Sequence, residues 1–94
     1  MKIAFDCDYT LVDEQYNPIY DNIDLYRWFE RHGWDCIIWS GGGVDYAQHI
    51  ANKLGLKGRV VDKCSESVDI AVDDSMPLGE QWRGRLQAKV VITV

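Results

Sequence analysis

Cysteine, proline and histidine are scarce in this chain of 94 residues, which has three, two and two of them. Cys7, Cys36 and Cys64 form no CxxC pair, and an odd count without a secretion pattern argues for reduced thiols rather than a disulfide framework. No apolar run approaches the length needed to span a bilayer, and the N-terminus lacks the layout of a signal peptide. A cytoplasmic location is therefore expected. Positive charge is also in short supply: ten Lys and Arg against fifteen Asp and Glu give a net charge of −5. That balance argues against broad electrostatic binding to nucleic acid or anionic membrane. There is no internal repeat and no low-complexity tract, so the length and a 47% hydrophobic content fit one domain over residues 1–94.

What the chain does have is short apolar runs alternating with helical periodicity, the pattern of an α/β domain. Strands are expected at Lys2–Phe5, Cys36–Trp39, Arg59–Val61, Asp69–Val72 and Lys89–Thr93. Asp21 or Asn22 is expected to cap a helix running to about His32, with Ile23, Tyr26, Trp28 and Phe29 near one face and Gly33 at its end. A second helix is expected from Val44 to Leu54, with Val44, Ala47, Ile50, Ala51 and Leu54 on its apolar stripe and Gly55 closing it. The pattern does not decide the structure of 75–88. Helix-linked strands favour right-handed crossovers and a mostly parallel five-stranded sheet, in which ligands bind beyond the carboxyl ends of the strands.

The polar residues collect at those ends. The first strand runs into Asp6-Cys7-Asp8-Tyr9-Thr10, and two carboxylates at the mouth of a buried strand are costly unless a cation, a proton or an electrophile offsets them. Cys7, between them, is expected to point into the packed sheet rather than act as a nucleophile. The second strand delivers Ser40 and then Gly41, Gly42 and Gly43 at a helix N-terminus, whose open N–H groups suit an anion. Lys63 follows the third strand, and Asp73-Asp74 ends the fourth. His32 and His49 lie on helices away from these ends and read as surface or packing residues. The tryptophans read as core, with Trp82 undecided.

In this order, D-x-D-x-T at Asp6 to Thr10, Ser40, Lys63 and Asp73-Asp74, the chain resembles the haloacid dehalogenase superfamily of phosphohydrolases, across essentially its whole length. The resemblance implies a three-layer α/β/α, Rossmann-like fold and a magnesium-dependent phosphatase. Asp6 would be the nucleophile that becomes an aspartyl-phosphate. Asp8 would be the general acid and then the general base, which requires it to carry a proton part of the time. Magnesium would be held by Asp6, the backbone carbonyl of Asp8 and one acid of the pair, with Asp74 preferred and Asp73 supporting. Thr10, Ser40, Gly41, Gly42 and Lys63 would bind the substrate phosphate, and Lys63 would balance the carboxylates. Lys53 and Lys57 are the competing lysines.

There is no room for a cap domain. Only Leu11–Tyr20 separates the first strand from its helix, enough for a small flap pairing Leu11-Val12 with Pro18-Ile19-Tyr20. An open site implies a phosphorylated macromolecule, such as a nucleic-acid end or a phosphoprotein, or a second copy or partner subunit that completes the enclosure. Arg83 and Arg85 could extend a phosphate-binding surface. A response-regulator receiver is excluded by motif order, since its acidic pair follows the first strand. A haloalkanoate dehalogenase has no need of an acid at Asp8 to protonate a departing halide. The competing class is a catalytically silent domain of the same fold that binds magnesium or a phosphorylated partner.

Overall fold

The computed structural model describes residues 1–74 and 87–94; the segment between them, with Trp82, Arg83 and Arg85, lies outside the described residues. Five strands alternate with two helices: β1 (Lys2–Phe5), α1 (Tyr20–Arg31), β2 (Asp35–Ile38), α2 (Val44–Leu54), β3 (Arg59–Val60), β4 (Val68–Asp73) and β5 (Ala88–Thr93). All strand pairs are parallel, in the order β3-β2-β1-β4-β5. The chain therefore moves outward from β1 through β2 to β3, then crosses back to build β4 and β5 on the other side. That reversal opens a crevice between the carboxyl ends of β1 and β4, where open α/β sheets bind ligands.

The central strands are buried on both faces, which is why they read as unbroken apolar runs. Alternation sorts their side chains. Ile3, Phe5, Cys36, Ile38 and Val72 share one cluster with Ile23, Tyr26 and Phe29 of α1 and Ala47, Ile50 and Ala51 of α2. Ala4, Ile37, Trp39 and Ala71 form a second cluster. Both described helices thus pack into the first cluster, as two successive crossovers of one hand, advancing in one direction, must do. Each fully buried Ile or Phe in these clusters contributes about 1.5–3 kcal/mol. Phe5 and Tyr26 meet edge to face at 5.4 Å.

Two glycines are demanded by geometry. Gly55 terminates α2 in the left-handed region at φ 70°. At Gly58 a Cβ would lie 2.7 Å from both the Cys36 carbonyl oxygen and the Tyr26 hydroxyl, so any side chain there would push the start of β3 away from β2 and Tyr26.

Several expectations need correction. No side chain caps α1: it starts at Tyr20 behind Ile19, and Asn22 sends its amide to the Thr10 carbonyl at 2.8 Å. The flap forms as Val12 bridges Pro18 and the Ile19 amide donates to Leu11, but Tyr20 belongs to the helix. Trp28 is not core; it is exposed and stacks on His32 at 3.9 Å. Trp39 is fully buried, Trp34 is half-buried against Phe29, and His49 is exposed. Among the described residues no helix is long and apolar enough to cross a membrane. A second charged group, Arg59 with Asp35 and Glu66, lies at the amino ends of β2 and β3, away from the crevice.

Candidate functional site

Asp6 leaves β1 with its amide donating to the Val72 carbonyl, so the sheet ladder continues one residue past the strand and fixes the Asp6 backbone. The chain then reverses sharply. The Cys7 carbonyl accepts from the amides of Thr10, Leu11 and Val12, and Tyr9 takes a left-handed φ of 60°, which is unfavourable for a side chain of its size. Cys7 is buried, with its thiol 3.6 Å from the Trp39 carbonyl. Burial and the flanking aspartates push that thiol up to about 12, so it stays protonated and serves as packing.

Lys63 reaches the crevice from the loop between β3 and β4. A turn from Asp62 to Ser65 shapes that loop, and the Gln87 side-chain amide donates to the Cys64 carbonyl at 3.0 Å. The Lys63 ammonium lies 2.8 Å from Asp73 and 3.2 Å from Asp6, with all three side chains more than nine-tenths buried. Asp74, half-buried, brings its carboxyl beside Asp6, and the acidic groups of Asp6, Asp73 and Asp74 fall within 4.8 Å of one another. Lys53 instead donates to the Tyr16 carbonyl and ties the flap to the end of α2.

Among the described residues, three carboxyls gather around the Lys63 ammonium. Burial raises Asp6 to about 7; Lys63 opposes that rise, whereas Asp73 and a hydrogen bond shared with Asp74 add to it. Burial also raises Asp74, in part relieved by its hydrogen bond to Asp6. For Lys63, burial favours the neutral amine, but Asp6 and Asp73 outweigh it and hold the ammonium above its ordinary value. The donors are hard oxygens, so the residues fit a small divalent cation such as magnesium, with Asp6, Asp73 and Asp74 as the carboxylates within reach.

Ser40 lies two residues beyond Ile38, which pairs with Phe5, so Ser40 and Asp6 leave neighbouring strands at the same edge of the sheet. The Ser40 hydroxyl oxygen accepts from the Gly42 amide at 3.0 Å, which leaves its own proton to donate. Gly41 and Gly42 are exposed just before α2, whose first turn has no side-chain cap. Thr10 is fully buried at the base of the flap, and its hydroxyl has no hydrogen-bond partner among the described residues.

Asp8 is exposed, and its carboxylate stands outside the cluster formed by Asp6, Asp73 and Asp74. Its carboxylate accepts a hydrogen bond from the Tyr46 hydroxyl. Burial, followed by that bond and the charge of Asp8, raises the Tyr46 hydroxyl well above its ordinary value. Sequence reasoning missed Tyr46: it stands beside Ala47 on a helix face read as ordinary packing, and nothing local marks a partner 38 residues away. A small cleft of about 130 Å³ opens beside Asp8, lined by Tyr9, Asp13, Glu14 and Tyr16. Compared with protein-family models, curated proteins and solved structures, the chain matches none.

Proposed function

We propose that this chain is a magnesium-dependent phosphomonoester hydrolase of the haloacid dehalogenase type, without a cap domain. The observation that carries the reading is the buried Lys63 ammonium between Asp6 and Asp73, with Asp74 alongside, at the crevice between β1 and β4. The finer fold we infer is three-layered and Rossmann-like. Its support is the second buried cluster, on the side of the sheet opposite the two described helices.

In this reading the substrate phosphate enters at the carboxyl edge of the sheet. Ser40, oriented by the Gly42 amide, and the Gly41 amide donate to its oxygens, and Lys63 supplies a fixed positive charge. An Asp6 carboxylate oxygen attacks phosphorus as the bond to the leaving oxygen breaks. Asp8 delivers a proton to that oxygen. The product is an alcohol, with the phosphoryl group on Asp6. Asp8, now ionised, takes a proton from water, which attacks phosphorus and releases inorganic phosphate with Asp6 restored. Magnesium held by Asp6, Asp74 and Asp73, with the backbone carbonyl of Asp8, would supply the charge that keeps Asp6 ionised and screens the phosphoryl oxygens. Thr10, enclosed beneath the flap, supports the Asp8 turn in this scheme rather than reaching the phosphate itself.

With only residues 6–19 between β1 and α1, the reading favours a substrate whose phosphate projects from a larger body, or a second subunit that completes the enclosure. Phosphorylated nucleic-acid ends and phosphoproteins are the substrate classes to test first. The test is magnesium-dependent phosphate release from a panel of phosphomonoesters, lost in Asp6→Asn.

A further inference from the structure

The carboxylate assigned to proton transfer sits on an exposed turn. Such a side chain samples several rotamers unless something holds it, and a proton donor works only within hydrogen-bond reach of the oxygen it serves. Tyr46 supplies the restraint. It is the third residue of α2, and its hydroxyl donates to one Asp8 oxygen, Oδ1. Its ring lies beside the glycine turn: a Cβ on Gly42 would come within 3.1 Å of Tyr46 Cδ2. The Gly42 amide in turn donates to Ser40 Oγ at 3.0 Å. A continuous set of contacts therefore runs from the end of β2, through the glycine turn and the first turn of α2, to Asp8.

We infer that Tyr46 is a positioning residue for Asp8, an inference that rests on the phosphohydrolase reading above. By occupying Oδ1, Tyr46 selects one rotamer and leaves Oδ2 as the oxygen that carries the transferable proton. Tyr46 touches neither phosphorus nor the attacking water. Its effect is felt only in steps where Asp8 moves a proton, and the turn of Ser40, Gly41 and Gly42 that receives the phosphate also sets its place.

The leaving group separates this role from a structural one. An alkoxide needs a proton as it departs, whereas p-nitrophenolate leaves without one. The experiment compares kcat/KM for an alkyl phosphate and for p-nitrophenyl phosphate, with magnesium, in wild type, Tyr46→Phe and Asp8→Asn. Tyr46→Phe should lose about tenfold on the alkyl ester and less than about threefold on the nitrophenyl ester, a fraction of what full acid catalysis contributes. Asp8→Asn should show a larger selective loss. The thermal midpoint of Tyr46→Phe shows whether the fold is retained. Equal losses on both esters, or none, with an active wild type overturn the role of Tyr46 alone. A wild type that releases phosphate from neither ester overturns the reaction and this role together.

Discussion

Replacing Lys63 with methionine keeps most of the side-chain volume and removes its charge, leaving Asp6 and Asp73 buried without their cation. With an effective dielectric near 20, the contacts at 2.8 Å and 3.2 Å are each worth roughly 5–6 kcal/mol of Coulomb attraction before desolvation is subtracted. Breaking a buried pair by deleting one partner costs about 3–5 kcal/mol net. A domain of this size has a total stability of only about 5–10 kcal/mol, so Lys63→Met should remove a third or more of it. The assay is urea unfolding of the metal-free protein at pH 8 and at pH 5, where the variant's midpoint at pH 8 should fall by about 2–3 M. The loss should shrink at pH 5, because carboxyls deprived of Lys63 bind protons more tightly than in the wild type, and protonation relieves them. A loss under about 1 kcal/mol at pH 8, the value of an exposed pair, would refute the reasoning, as would a loss independent of pH. Lys63→Ala should also cut turnover by orders of magnitude.

Asp6 predicts an unusual pH dependence for the metal-free protein. Its folded value of about 7 exceeds the unfolded value near 3.9, so the native state keeps a proton that the unfolded chain gives up. The contribution of Asp6 to stability should therefore fall as pH rises from about 4 to 7, by a few kcal/mol in all, and level off above. Lys63, raised above its unfolded value, stays charged throughout that window and adds no slope there. Magnesium binding should release close to one proton at pH 6 and almost none at pH 9, read by calorimetry in buffers of different ionisation enthalpy; no release at pH 6 contradicts the placement of the ion on Asp6. Thr10→Val should raise stability by about 1 kcal/mol, since it removes an unpaired buried hydroxyl without changing shape. A fall in stability would mean that the hydroxyl has a partner.

The strands were legible to within a residue at their ends because the central residues Ile3–Phe5, Cys36–Ile38 and Ile70–Val72 are apolar runs. The cluster was legible because Asp6, Lys63, Asp73 and Asp74 fall at strand ends in order, and the structure brings Lys63, rather than Lys53, to Asp6 and Asp73. What stayed hidden depended on contacts distant in sequence. The start of α1 moved to Tyr20 because Asn22 serves the Thr10 carbonyl instead of the helix, a choice made by the flap. Trp28 looked like core by spacing, yet its side chain lies just outside the buried stripe of Ile23, Tyr26 and Phe29 and pairs with His32. Tyr46 could not be read at all, because its partner lies on another strand end. The strand order, with its reversal at β1 and β4, is likewise a property of pairing rather than of any one segment.

The central claim is that Asp6 attacks phosphorus in a magnesium-dependent hydrolysis. The most direct measurement is phosphate release from a panel of phosphomonoesters, including 3′- and 5′-phosphorylated oligonucleotides and a phosphopeptide, for wild type and Asp6→Asn, with and without magnesium. The account predicts release that requires magnesium and disappears in Asp6→Asn, while that variant remains folded. Release undiminished in Asp6→Asn, or no release from a folded wild type that binds magnesium, would contradict it; the second result would leave a domain that binds the cation without turnover.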